Sequence, residues 1–149
     1  MEKNYLFKVN LGGMIDILSN HLYSNHHVFV REVLQNCVDA IIARKNIDSS
    51  WNEGKISISL IEDMDSKTIV FEDNGIGLTE EEIHKFISIL GESSKKDLIS
   101  GKIQEDFIGH FGIGLLSCFM VSQEINLVTR SINDTESYHW IGKPDGTYT

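Results

Sequence analysis

The sequence predicts an α+β sandwich, with helices packed on one face of a mostly antiparallel sheet. Three observations predict it. Two segments read as strand–turn–strand hairpins rather than as strands alternating with crossover helices. Stretches with helical apolar spacing flank the first hairpin, giving the order helix, helix, hairpin, helix, loop, helix, hairpin. The 149 residues hold one proline, Pro144, and no Ser/Gly-rich or Pro-rich linker, so one domain spans 1–149.

Each element follows from local chemistry. Tyr5 to Val9 is a short extended segment, and Gly12-Gly13 leads into Met14 to Tyr23, a short helix with Ile15, Leu18 and Leu22 on one side. Ser24-Asn25 supplies cap chemistry for a longer helix over about Val28 to Lys45. Its core stripe is Val30, Val33, Leu34, Cys37, Val38 and Ile41. KISISLIE (55–62) and KTIVFED (67–73) form a hairpin around the polar DMDS turn. Thr79 caps the next helix, with Glu82 at the capping-box position, and this helix runs to about Leu90. Residues 91–107 are polar and glycine-punctuated and read as a mobile loop. Ile113 to Val121 reads as a buried helix. EINLVTRS (124–131) and ESYHWIG (136–142) are the final strands, around an Asn133-Asp134 turn.

Composition narrows the function. With 41% hydrophobic and 23% charged residues the chain is an ordinary globular sequence. Its size buries roughly two-thirds of the unfolded surface, so no disulfide or metal is needed for a core. A formal charge of −9 argues against a generic grip on nucleic acid or an anionic membrane. It leaves room for a phosphate ligand held by backbone amides and a divalent cation. Cys37 and Cys118 have no CxxC partner and read as reduced core thiols of a cytoplasmic protein. The N-terminus has no signal-peptide apolar stretch, and no run approaches the roughly 20 apolar residues that a bilayer requires.

Three constellations can carry chemistry. On the long helix, Glu32, Asn36 and Asp39 fall within about 60° of one another. Ala40 and Ala43 beside them are small, and no Lys or Arg joins the three polar groups. Two carboxylates and an amide facing a void suit a divalent cation and a polarised water. FEDNGIG (71–77) places Asp73 at a strand end. A lone carboxylate there accepts from an exocyclic amine such as adenine's, where guanine presents a carbonyl. Gly75 and Gly77 allow a sharp turn and close approach to the backbone. In IGHFGIGLLS (108–117), Gly109, Gly112 and Gly114 open an apolar helix whose first N–H groups are free to meet an anion. Taken singly, these are a solvated helix face, an ordinary Asp-Asn-Gly turn and a packing turn.

As an ordered set, ExxxNxxDA (Glu32, Asn36, Asp39, Ala40), DNGIG (73–77) and GHFGIG (109–114) resemble the GHKL ATPase superfamily. Within it, LYSNHHVFVREVLQNCVDAI (22–41) and the ending VTRSINDTESYHWIGKPDGTYT (128–149) resemble the N-terminal nucleotide-binding domain of the 90-kDa heat-shock chaperones most. The resemblance implies a Bergerat-type two-layer sandwich and a fragment of a longer chain, lacking the last strands and downstream domains. It implies a protein-folding ATPase, with ATP or ADP and Mg²⁺ as ligands. Glu32 would be the general base, Asn36 the magnesium ligand, and Asp39 the support of the ribose and adenine side, next to Ala40. Asp73 would read the adenine amine, Gly75 and Gly77 would let the nucleotide approach, and Leu78 would lie against the base. Gly112, Ile113, Gly114 and Leu115 would present N–H groups to the phosphates, with Gly109 and Phe111 in the same binding stretch. Residues 91–107 would be the lid.

Client proteins engaged through regions outside this chain and a homodimer of the full-length protein are further implications, as is exchange of Tyr5 to Val9 between dimer partners. Two positions depart from the family pattern. Glu92 stands where the chaperones carry a lid lysine, leaving Lys95 or Lys96 for phosphate, and Phe86 stands where they carry a ribose-side asparagine. A catalytic arginine would come from a following domain, so the isolated fragment should turn over little ATP. Two other readings are a topoisomerase or mismatch-repair ATPase, disfavoured by the charge, and a non-catalytic nucleotide-sensing module.

Overall fold

The longest element is α1, Val28–Ile47, in a computed structural model that describes residues 2–6, 13, 25–85 and 114–149. Asn25 starts it from two positions before the N-cap. Its side-chain oxygen accepts from the His27 N–H at 2.9 Å and its carbonyl from the Val28 N–H at 3.2 Å. Arg44 and Lys45 occupy the last turn, where cations favour the helix dipole.

The strands are β1 (Tyr5–Leu6), β2 (Ile56–Glu62), β3 (Lys67–Asp73), β4 (Ile125–Thr129), β5 (Tyr138–Gly142) and β6 (Thr147–Tyr148). Among the described residues they form two antiparallel sheets, one ordered β1-β6-β5-β4 and one made of β2-β3. The β2-β3 register runs from Ile56 opposite Asp73 to Glu62 opposite Lys67. Its predicted DMDS turn closes with the Asp63 N–H donating to the Ser66 carbonyl at 2.9 Å. β6 was not anticipated as a strand. It exists because Gly146, at φ +88°, reverses the chain after Pro144 and returns it to β5.

α2 begins at residue 80, and its described part covers residues 80–85. The predicted capping box is complete: the Glu82 N–H donates to Thr79 Oγ1 at 3.2 Å, and the Thr79 N–H donates to Glu82 Oε2 at 2.8 Å. Thr79→Ala should lower unfolding free energy by about 1 kcal/mol in urea titration, and Thr79→Ser should recover most of it.

Two expectations need correction. The predicted stripe of α1 is rotated: Asn36, Cys37 and Ala40 are its buried residues, while Val38 is 38% exposed. The cause is that α1 packs against both β3 and the short helix after Gly114, so its inner line runs between them. The predicted helix from Ile113 to Val121 is broken in its described part. Residues 114–116 are α-helical, Ser117–Met120 form a 3₁₀ turn, and Val121 is exposed. Hydroxyls compete for its carbonyls: Ser117 Oγ donates to the Gly114 carbonyl at 2.5 Å and Ser122 Oγ to that of Cys118 at 2.9 Å. Leu115, Leu116 and Phe119 remain buried, with Ile125 and Trp140 of the larger sheet. The helix expected at 14–23, the end of α2 to Leu90 and the loop 91–107 lie outside the described residues.

Candidate functional site

The loop after β3 is built onto α1. Asp73 ends the strand, and one of its carboxylate oxygens accepts from the Gly75 N–H at 2.8 Å, which tightens the turn. Asn74 holds the loop from the other side. Its side-chain oxygen accepts from the Lys55 N–H at 2.8 Å, and its amide donates to the Glu53 carbonyl at 2.7 Å. Arg44 donates to the Asn74 carbonyl at 2.7 Å while its guanidinium lies 4.3 Å from the centre of the Trp51 ring.

Two glycines are then forced. A β-carbon on Gly75 would stand 2.5 Å from the Ala40 carbonyl carbon, and the Ile76 N–H donates to the Ala40 carbonyl at 2.9 Å. Gly77 has φ +69°, and a β-carbon there would stand 1.9 Å from the Arg130 carbonyl oxygen. The loop leaves this contact with the Leu78 N–H donating to Thr129 Oγ1 at 2.9 Å, and Leu78 is buried.

The third constellation meets the first at Gly114. A β-carbon on Gly114 would lie 3.2 Å from Glu32 Oε2 and 3.7 Å from Asn36 Nδ2. Asn36 is 7% exposed, and its Nδ2 has no hydrogen-bond partner among the described residues. A buried amide left unpaired costs about 1–3 kcal/mol, so this is a place built for a ligand or for water. Glu32 is half-buried, and its Oε1 accepts from Arg31 at 3.0 Å, the arginine being largely in solvent. The expectation that no basic residue joins the polar triplet is thus corrected, since the long Arg31 side chain reaches back from the adjacent helix position. Asp39 is half-buried and accepts from Gln35 at 2.9 Å.

Burial, with the negative charge of Asp73 adding to it, pushes the Cys37 thiol up to about 12. Burial likewise pushes Cys118 up to about 12, and both cysteines are free thiols.

Two distant segments therefore meet one stretch of α1: Gly114 at Glu32 and Asn36, and the loop after β3 at Ala40 through Gly75. The predicted residues Gly109, Phe111, Gly112 and Ile113 lie outside the described residues, as do Phe86, Glu92, Lys95 and Lys96. Cys37, expected as a reduced core thiol, is buried and free. Sequence reasoning missed Thr129, which is 51 positions from Leu78 and carries no local signal.

The donor set fits a magnesium-bound nucleotide. Asn36 offers one amide oxygen and an unsatisfied N–H, and Asp73 is an exposed acceptor. Gly75 and Gly77, expected to let a ligand approach the backbone, are instead required by packing on Ala40 and Arg130. No group of three His, Cys, Asp or Glu that could hold a metal ion occurs among the described residues.

Comparison with known proteins bears on this geometry. The family described as "Histidine kinase-, DNA gyrase B-, and HSP90-like ATPase" matches residues 23–143. The chain is 33% identical to the chaperone protein HtpG of Porphyromonas gingivalis, covering 99% of this chain and 23% of that protein. It is 29% identical to the chaperone protein HtpG of Helicobacter hepaticus, covering 99% of this chain and 26% of that protein. The corresponding protein of Salinispora arenicola is 29% identical, with coverage of 96% and 24%. The chain thus spans about a quarter of the length of these curated relatives.

Proposed function

The chain belongs to the family of histidine kinase-, DNA gyrase B- and HSP90-like ATPases, and from that premise we propose that it is the ATP-binding and hydrolysing domain of a protein-folding chaperone of the HtpG kind. The observation that carries the reading is the buried, unpartnered Asn36 amide facing Gly114 beside the Glu32 carboxylate. A site for phosphate and cation needs such a polar group held dry before the ligand arrives.

Asp73 accepts the exocyclic amine of adenine with the oxygen capacity left over from Gly75. Leu78 lies against the base, and Asp39 supports the ribose side. Gly75 and Gly77 let the loop that carries Asp73 pack on Ala40 and Arg130. Asn36 holds Mg²⁺, which when bound neutralises phosphate charge that this acidic chain could not. Gly114 and Leu115, with Gly109, Phe111, Gly112 and Ile113 before them, form the phosphate side. Glu32 orients the attacking water and takes its proton.

The whole protein would act on client proteins as a cytoplasmic homodimer, with these 149 residues in its nucleotide-binding domain. No helix among the described residues is long and apolar enough to cross a membrane, and the charge of −9 supports a protein rather than a nucleic-acid partner. A nucleotide-sensing module without turnover is the second reading, favoured by Glu92 in the lysine position. Phosphate release by the full-length protein separates the two.

Calorimetry with Mg-ADP tests the pocket. Asp73→Asn should weaken binding by about tenfold to a hundredfold, because the amide turns an N–H toward the adenine amine. Equal affinities in the two proteins would remove Asp73 from the pocket and the reading with it.

A further inference from the structure

We infer that Arg44 is a positioning residue of this site: by donating to the Asn74 carbonyl it pins the peptide whose N–H holds the Asp73 carboxylate, and so fixes the direction in which that carboxylate meets a nucleobase. The inference rests on the reading of Asp73 as the base-recognising group. It starts from the peptide between Asn74 and Gly75, which is bonded at both ends. Its carbonyl accepts from the Arg44 guanidinium at 2.7 Å, and its N–H donates to an Asp73 carboxylate oxygen at 2.8 Å. Carbonyl and N–H belong to one planar group, so a rotation that breaks one bond breaks the other. Arg44 thus acts on Asp73 from the far side of the loop, without touching it.

The remaining anchors of the loop hold its residues but not this peptide plane. The Asn74 side chain is engaged by Lys55 and Glu53, the Asn74 N–H donates to the Lys55 carbonyl at 3.3 Å, and the Ile76 N–H donates to the Ala40 carbonyl. Between them the peptide can turn over, because Gly75, which does not have a positive φ here, would accept one at little cost. A cationic donor on the carbonyl resists that flip. It also polarises the peptide and makes the Gly75 N–H the better donor to Asp73. Arg44 is itself held. It is half-buried in the last turn of α1 with its guanidinium 4.3 Å from the centre of the Trp51 ring, an arrangement that leaves the donors at the guanidinium edge free for the carbonyl. The turn that returns Trp51 to Arg44 is closed by the Asp48 N–H on the Arg44 carbonyl and the Trp51 N–H on the Asp48 carbonyl, each at 3.1 Å. Order that is complete before a ligand arrives need not be acquired on binding.

The test uses Arg44→Met and Arg44→Lys of the full-length protein in calorimetry with Mg-ADP and with the magnesium salt of inosine diphosphate, whose base carries a carbonyl in place of the amine. Arg44→Met, which keeps a long stem and removes the donor, should bind ADP roughly three- to tenfold more weakly. It should lose preference for ADP over inosine diphosphate by a similar factor. Arg44→Lys keeps a charged donor and should recover part of both, which a packing role alone would not produce. Parent-like ADP binding in Arg44→Met, or weaker binding with unchanged preference, overturns the inference.

A parent protein that binds no ADP would instead defeat the reading of the pocket, and a second measurement then decides the role of Arg44 by itself. Hydrogen exchange at the Gly75 amide of the full-length protein, read by mass spectrometry, should be about tenfold faster in Arg44→Met than in the parent. The Thr79 amide, held by Glu82, is the control and should exchange equally in both. Arg44→Gln, neutral and shorter, carries the same expectation should the methionine variant fail to fold. Equal Gly75 exchange in parent and variant overturns the inference.

Discussion

Gly77→Ala should destabilise the fold by about 3–5 kcal/mol, as the sum of a left-handed backbone and a backbone collision. At φ +69° an L side chain is strained whatever the space around it. Here there is no space: the β-carbon would meet the Arg130 carbonyl oxygen at 1.9 Å and its carbon at 2.5 Å. Neither atom belongs to a side chain that could swing away. Relief would require the loop to lift off β4, breaking the Leu78 N–H bond to Thr129 and the Ile132 N–H bond to the Ile76 carbonyl. Gly114→Ala supplies the contrast. Its new β-carbon would meet the Glu32 carboxylate oxygen at 3.2 Å, the far end of a side chain that can move. That variant should stay within about 1 kcal/mol of the parent. Urea unfolding of both variants checks the pair, and a Gly77→Ala midpoint equal to that of Gly114→Ala would show that the loop is not clamped between α1 and β4.

The contrast also marks what could be read from the chain. The capping box at Thr79 and Glu82, the β2-β3 turn and the start of α1 are decided within a few residues, and the sequence predicts each of them. The Asp73–Gly77 turn was legible for the same reason, since Asp-Asn-Gly states its own backbone needs. The rotation of α1 was not. Hydrophobic periodicity scores Asn36 as an outward residue, but α1 lies between two neighbours and its buried line passes through Asn36 and Ala40. A polar residue on an inner face is the kind of conflict between local pattern and fold that functional sites produce. The Arg31 contact with Glu32 escaped because helical angle describes where a β-carbon points, not how far an arginine reaches. Thr129 escaped because its partner is set by tertiary packing, 51 positions away (129 − 78).

Glu32→Gln should leave Mg-ADP affinity within about threefold and lower ATP turnover of the full-length protein by roughly 10²–10³-fold. The glutamine keeps the shape of the side chain and its reach toward Gly114, so the ground-state pocket is retained. What it loses is the capacity to take a proton from water, which matters only as the attack proceeds. The two oxygens of Glu32 are not equivalent. Oε1 is engaged by Arg31 at the solvent edge, whereas Oε2 is the atom that faces Gly114 and lies beside the unpartnered Asn36 amide. On the proposed reading, the inner oxygen is the one that would address water next to a phosphate.

Gly114→Ala, which would push on that oxygen without removing it, should give a turnover between those of the parent and Glu32→Gln at nearly unchanged stability. Single-turnover phosphate release on the three proteins, normalised to ADP affinity, reads this order directly. Undiminished turnover in Glu32→Gln would take the proton-accepting role away from this residue. A Gly114→Ala turnover equal to the parent's would show that the contact at 3.2 Å does not orient it.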